Sequence, residues 1–206
     1  MKGPLPGVVA ALLLVPLLAS CGPSTPVQGG QAKSHLNVAS PDLVAFKKQT
    51  DIPNCPRLPS TTTVKAGMPD VTLPCLGGGR SVDLAGLRGP MIVNFWASWC
   101  SECRKEMPAL AAYAKSQSAV KVFGVDFLDT QPGAALELAR SSAVGYPLVA
   151  DPGGALDRAA PLPHIPGLPV TAFIDANGAI VRLEAGSMPT RADVAAAAKK
   201  YLGAGG

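Results

Sequence analysis

The sequence predicts an α/β domain built on one buried sheet, and three observations carry that prediction. Apolar strand-like runs alternate with helix-like segments through the later two-thirds of the chain. Nine of the ten aromatic residues lie from Phe95 onward, which places the core there. A Cys-x-x-Cys pair, Cys100 and Cys103, follows directly on the first core run, where a helix begins.

The elements follow in order. Lys2 and an apolar run from Leu5 to Ala19 open the chain. That run is short of the roughly 20 residues of a bilayer span. Its charged start, apolar middle and small-residue end have the layout of a signal peptide over residues 1–20. Residues 21–67 are rich in Pro, Ser, Thr and Gln and read as a flexible tether, with one short helix at 41–48 capped by Ser40 and opened by Pro41. The folded domain is expected over 68–206, entered by a small β-hairpin between Asp70 and Leu87.

Residues 90–97 form an apolar run without helical period and predict a buried strand. A helix is expected from Cys100 to about Gln117, broken at Pro108. Residues 119–127 predict a second strand, 132–143 a helix with Pro132 near its start, and 146–150 a short strand. Val170–Asp175 and Ala179–Leu183 flank Asn177-Gly178, a two-residue hairpin signal. An alanine-rich helix from Arg191 to Leu202 closes the chain. This order implies a sheet covered on both faces.

Composition narrows the function. The 206 residues include 22 glycines and 21 prolines, about a fifth of the chain, which is above the usual roughly 12% but below the range of disordered chains. A net charge of +4 with acids and bases interspersed argues against a nucleic-acid binder. The five cysteines are an odd count for disulfides. Leu18-Ala19-Ser20-Cys21 resembles the lipobox of bacterial lipoproteins, in which the residue at the Cys21 position is acylated and becomes the mature N-terminus. That resemblance implies an extracytoplasmic, lipid-anchored protein and leaves four cysteines.

Cys100 at a helix start gains from the amides and the dipole, which favour a thiolate. Cys103, one turn on, is placed to resolve a mixed disulfide formed at Cys100. Cys100 is therefore expected as the exposed nucleophile and Cys103 as its buried partner. Zinc would require a second ligand pair, and haem attachment a His where Arg104 stands. No metal or other cofactor is called for.

The run Val93-Asn94-Phe95-Trp96-Ala97-Ser98-Trp99-Cys100-Ser101-Glu102-Cys103-Arg104-Lys105-Glu106-Met107-Pro108 resembles the active-site segment of the TlpA/ResA group. These are membrane-anchored, extracytoplasmic thiol–disulfide oxidoreductases. The likeness implies a thioredoxin fold, a central mixed sheet flanked by helices, with an N-terminal β-hairpin extension. It also implies that Pro169, in Gly167-Leu168-Pro169-Val170-Thr171, is cis and lies against the redox pair, with its strand binding extended substrate. Trp99, Ser101, Glu102 and Leu168 would surround the site.

Two departures from thioredoxin matter. Asn94 stands where thioredoxin has a buried Asp, and Glu106 occupies the position of the group's characteristic glutamate. Spaced three residues from Cys103 on a helix, Glu106 is expected to be buried, with a raised pKa, and to manage the Cys103 proton. Glu102 replaces a common proline, and its charge should make the dithiol less oxidising.

Cys55 and Cys75 are separated by 20 positions. They read as a structural disulfide tying the tether to the domain and contributing very roughly 3 kcal/mol. The alternative, a second redox relay, lacks Cys-x-x-Cys spacing. His164 is expected on a loop surface.

The resemblance implies a reductase of protein disulfides, such as the haem-binding cysteines of apocytochrome c, supplied by a CcdA-type membrane electron donor. An oxidant or isomerase of secreted proteins shares the chemistry. A copper-binding lipoprotein using the two thiols and His164 is a third class, although related copper chaperones have three residues between their cysteines. The lone cysteine and Pro/Thr pattern of a peroxiredoxin is absent.

Overall fold

The structure, a computed structural model, describes Met1, Gly3 and residues 36–58, 63–116 and 119–203. Cys21, the signal peptide and the first part of the tether lie outside the described residues. The described residues from 36 onward belong to one compact unit, Lys33–Gly206.

The elements are helix α1 (Pro41–Lys47), strands β1 (Thr72–Leu73) and β2 (Val82–Asp83), β3 (Met91–Trp96), α2 (Ser101–Lys115), β4 (Lys121–Phe127), α3 (Pro132–Ser141), β5 (Leu148–Asp151), β6 (Val170–Ile174), β7 (Ile180–Ala185) and α4 (Arg191–Leu202). The main sheet has the order β5-β4-β3-β6-β7. β3, β4 and β5 run parallel, while β6 and β7 are antiparallel additions. β3 is central, and from Ile92 to Trp96 every residue is buried, as an apolar run without alternation requires.

Alternation along β3 divides the core in two. Ile92 and Trp96 face a layer made with α2, α3 and α4, whereas Val93 and Phe95 face the β1–β2 hairpin and the connection between β5 and β6. Both faces are covered, but the helices all contribute to one layer. The crossovers β3-α2-β4 and β4-α3-β5 step the same way across the sheet, so their shared right-handedness puts both helices on one side. Gly124 in β4 serves that layer. A Cβ there would lie 2.4 Å from Leu148 Cδ2 and 3.1 Å from Trp96 Nε1.

Three expectations need correction. The part of the tether that is described folds onto the domain: Val38, Ile52 and Cys55 are buried, Gly77 N donates to the Val38 carbonyl, and Leu43 and Phe46 pack on the helical layer. Its composition looked like linker because few apolar anchors, one disulfide and backbone bonds do the holding. The helix after Cys100 is continuous through Pro108, since the flanking Met107, Ala109 and Leu110 are buried against the sheet. Packing there outweighs one missing backbone bond. The β6–β7 turn has three residues between a paired Asp175 and Ala179, with Gly178 at φ 90°. The Asp175 carboxylate accepts from the amides of Asn177 and Ala179, which selects the longer loop.

Candidate active site

β3 delivers the chain to one end of the sheet, and the redox pair begins four residues beyond Trp96. Cys100 is the N-cap of α2, in extended conformation, and its Sγ accepts from the Cys103 amide at 3.1 Å. The two cysteines form a disulfide. The geometry puts Cys100 at the positive end of a 15-residue helix, where a thiolate is stabilised once the bond opens. Cys100 is only 5% exposed, so it is less open than expected, yet Cys103 is wholly buried. An incoming sulfur can therefore reach only the first.

The segment before the pair is held from both sides. Ser98 N donates to Asp129 Oδ2 at 2.6 Å, the other oxygen of Asp129 takes the Gln131 amide, and Arg104 donates to the Ser98 carbonyl. Asp126, in register with Trp96, is buried close to Asp129. Burial first, and then the negative charge of Asp129, keep its carboxyl well above the usual carboxylate range. Neither Asp was singled out by sequence. Their position beside the segment leading to Cys100 depends on the register of β3 and β4, which local pattern does not reveal.

Glu106 lies three residues after Cys103 on α2 and is fully buried. Asn94 Nδ2 donates to its Oε1 at 2.6 Å, and the Met188 amide to its Oε2 at 3.1 Å. Asn94 also donates to Thr171 Oγ1, which joins β3 and β6 beneath the carboxyl. Burial pushes the Glu106 pKa up to about 7, with the two hydrogen bonds restraining the rise. The expected buried, raised glutamate is present. Its two partners come from β3 and the segment before α4, and Thr171 of β6 stands behind the first, so only the carboxyl itself was readable from spacing. Glu106 also affects Tyr146, whose phenol is pushed up first by burial and then by the Glu106 charge.

The Leu168–Pro169 peptide is cis. Val170 pairs with Phe95, so Pro169 sits beside the end of β3 that leads to Cys100. Leu168 packs against both core layers. Trp99, directly before Cys100, is 55% exposed, with Nε1 donating to the backbone carbonyl of Leu128, itself an exposed apolar residue. Ser101 is exposed at the first helical position. Glu102 pairs with Lys105 at 2.6 Å, both being about half exposed, which offsets part of the charge it would set against the Cys100 thiolate. His164 is exposed and meets Asp157 at 2.8 Å, on the surface loop expected for it. Cys55 and Cys75 form the second disulfide.

Fold and site together define a thioredoxin-fold protein with a redox-active dithiol at a helix N-terminus. The chain belongs to the AhpC/TSA family, whose model matches residues 64–183. It is 35% identical over 147 residues to the thiol:disulfide interchange protein HelX of Rhodobacter capsulatus, covering 69% of this chain and 78% of that one. A 35% identity over 113 residues relates it to the thiol:disulfide interchange protein DsbE of Pseudomonas fluorescens, covering 54% of this chain and 61% of that protein's length. Among solved structures, a DsbE-like thiol:disulfide interchange protein from Chlorobium tepidum superposes with a TM-score of 0.53 at 28% identity, over 68% of this chain and 96% of that one.

Proposed function

We propose that this chain is an extracytoplasmic thiol–disulfide oxidoreductase that reduces protein disulfides through Cys100 and Cys103. The observation that carries this reading is the redox pair itself: a slightly exposed cysteine capping α2 and a wholly buried one a turn further, with Glu106 one turn beyond at a pKa of about 7. The names of the HelX and DsbE relatives, both interchange proteins, support the same chemistry.

In this reading the Cys100 thiolate attacks a substrate disulfide, forming a mixed disulfide and releasing one substrate thiolate, which takes a proton from water. Glu106 as carboxylate accepts the Cys103 proton, and the Cys103 thiolate attacks Cys100 Sγ. The second substrate thiol leaves and the Cys100–Cys103 bond closes. A carboxyl near pKa 7 can give and take that proton at neutral pH, which an ordinary surface glutamate cannot do efficiently.

The substrate class proposed is an oxidised Cys-x-x-Cys-His segment such as that of apocytochrome c. A CcdA-type membrane protein would return the electrons, and acylation at Cys21 would hold the chain on the extracytoplasmic face. No helix among the described residues is long and apolar enough to cross a membrane. The test is to mix reduced Cys103→Ser protein with an oxidised Cys-x-x-Cys-His peptide. A mixed disulfide at Cys100 is the expected product. If the peptide is neither trapped by this variant nor reduced by the wild type, the proposed substrate class is wrong.

A further inference from the structure

Lys47, at the end of α1, is the only lysine or arginine among the described residues that is buried. Among the described residues no carboxylate is paired with it. Its Nζ lies 3.2 Å from Cys75 Sγ, 2.9 Å from the Leu76 carbonyl oxygen and 3.2 Å from that of Gly78. Three acceptors call for three N–H donors, which is the ammonium and not the neutral amine. Burial works against that charge and lowers the lysine's pKa. A disulfide kept only as a staple gains nothing from a buried cation, whereas a thiolate at Cys75 would be its natural counter-ion.

The other sulfur is also provided for. Cys55 Sγ lies 3.2 Å from the Leu148 carbonyl oxygen, an acceptor that a disulfide sulfur cannot use and a thiol can. Each sulfur therefore has beside it the partner its reduced form requires. The groups facing the pair are Lys47 from α1, the Leu76 and Gly78 carbonyls of the turn after Cys75, the Leu148 carbonyl of β5, and the Asn54 amide oxygen across Gly79. Of these only Lys47 titrates.

We propose that Cys55–Cys75 is a second redox site, opened and closed in the folded protein by exchange with a dithiol, with Lys47 holding Cys75 as the thiolate. The attacking thiolate of a protein or small-molecule dithiol bonds to Cys55 Sγ, Cys55 being the less buried residue of the pair at 6% exposure against 1%. The Cys55–Cys75 bond breaks and its electron pair goes to Cys75, which leaves readily because the ammonium stabilises it. The dithiol's second thiolate then displaces Cys55 and departs as a disulfide. Two electrons enter the protein, Cys55 keeps one of the dithiol's two protons, and the other is released to water.

That released proton separates this site from a structural staple. Full-length protein is equilibrated with set ratios of reduced and oxidised dithiothreitol, quenched by alkylation, and read by peptide mass, so that Cys55 and Cys75 are followed apart from Cys100 and Cys103. Cys55–Cys75 should open while the far-ultraviolet circular dichroism is unchanged. Its equilibrium constant should rise about tenfold per pH unit from pH 6 to 8, one proton being released per opening. Lys47→Met should lower the constant about tenfold or more at pH 8 and flatten the pH slope, while Lys47→Arg retains the slope. Opening only with loss of the fold, a flat slope in the wild type, or an unchanged Lys47→Met would each overturn the proposal. If Lys47→Met does not fold, the wild-type slope decides. Because the two pairs are read separately, the result does not depend on how Cys100–Cys103 behaves.

Discussion

Cys100–Cys103 and Cys55–Cys75 are chemically the same bond in two settings. The first closes a loop of sequence separation 3 at a helix N-terminus, with backbone amides as its positive feature. The second joins residues 20 positions apart, with a lysine ammonium in that role. Each thus has one sulfur placed to be a thiolate. Only the first has a titrating carboxyl on the face of its buried sulfur, an exposed tryptophan beside its outer sulfur, and the cis-proline segment that leads into β6 alongside. Stabilising a thiolate is therefore not enough for turnover. A catalytic pair also needs a proton acceptor near neutral pH and a surface for the substrate backbone.

Removing the outer sulfur should have the largest effect. Cys100→Ser should lower insulin-disulfide reduction by about a thousandfold or more, as loss of the nucleophile does, while Cys55→Ser/Cys75→Ser should leave the rate within about threefold. Equal losses in both variants would erase the distinction between the two sites.

Glu106→Gln is next. It should slow resolution of the mixed disulfide by about ten- to a hundredfold at pH 7 and remove the pH dependence centred on the Glu106 pKa of about 7. Stopped-flow rates from pH 5.5 to 8.5 measure both quantities. An unchanged profile would make Glu106 a packing residue.

Two stability effects follow. Cys55→Ser/Cys75→Ser should cost roughly 3 kcal/mol in urea unfolding, from the freed chain entropy. Glu106 links stability to pH. Its folded pKa of about 7 lies above its ordinary 4.5, so between these values the folded state binds more protons. Its contribution is complete below about pH 4.5 and is lost as pH rises through 7, by at most roughly 3 kcal/mol. Glu106→Gln should flatten that part of the stability curve.

Glu102→Pro should have the smallest effect. Glu102 is half exposed and paired with Lys105, so the dithiol should become more oxidising by less than about tenfold in its equilibrium with glutathione. No shift at all would discard the role read for this residue from sequence.

What the sequence revealed was local. The strand runs, the terminal α4 helix, the Cys-x-x-Cys at a helix start and the placement of Glu106 on the face of Cys103 all follow from spacing within one element. The hydrogen-bond network that reaches Glu106 through Asn94 and Met188, with Thr171 behind Asn94, does not, because these residues come from three separate elements. Asp129 meets the redox loop, and Asp126 lies opposite Trp96, only through the β3–β4 register. Lys47 sits in a stretch whose composition reads as linker, and its burial depends on a turn about 30 positions away. Pro108 shows the reverse error, where a local rule overstated the damage and packing decided.

The reduction potential of Cys100–Cys103 tests the reductase reading better than any variant. Equilibrium with glutathione or dithiothreitol, followed by tryptophan fluorescence of the neighbouring Trp99, would give it. A value near that of thioredoxin, about −270 mV, is expected for a dithiol that donates electrons to protein disulfides. A value near that of DsbA, about −120 mV, would contradict it and make the protein an oxidant.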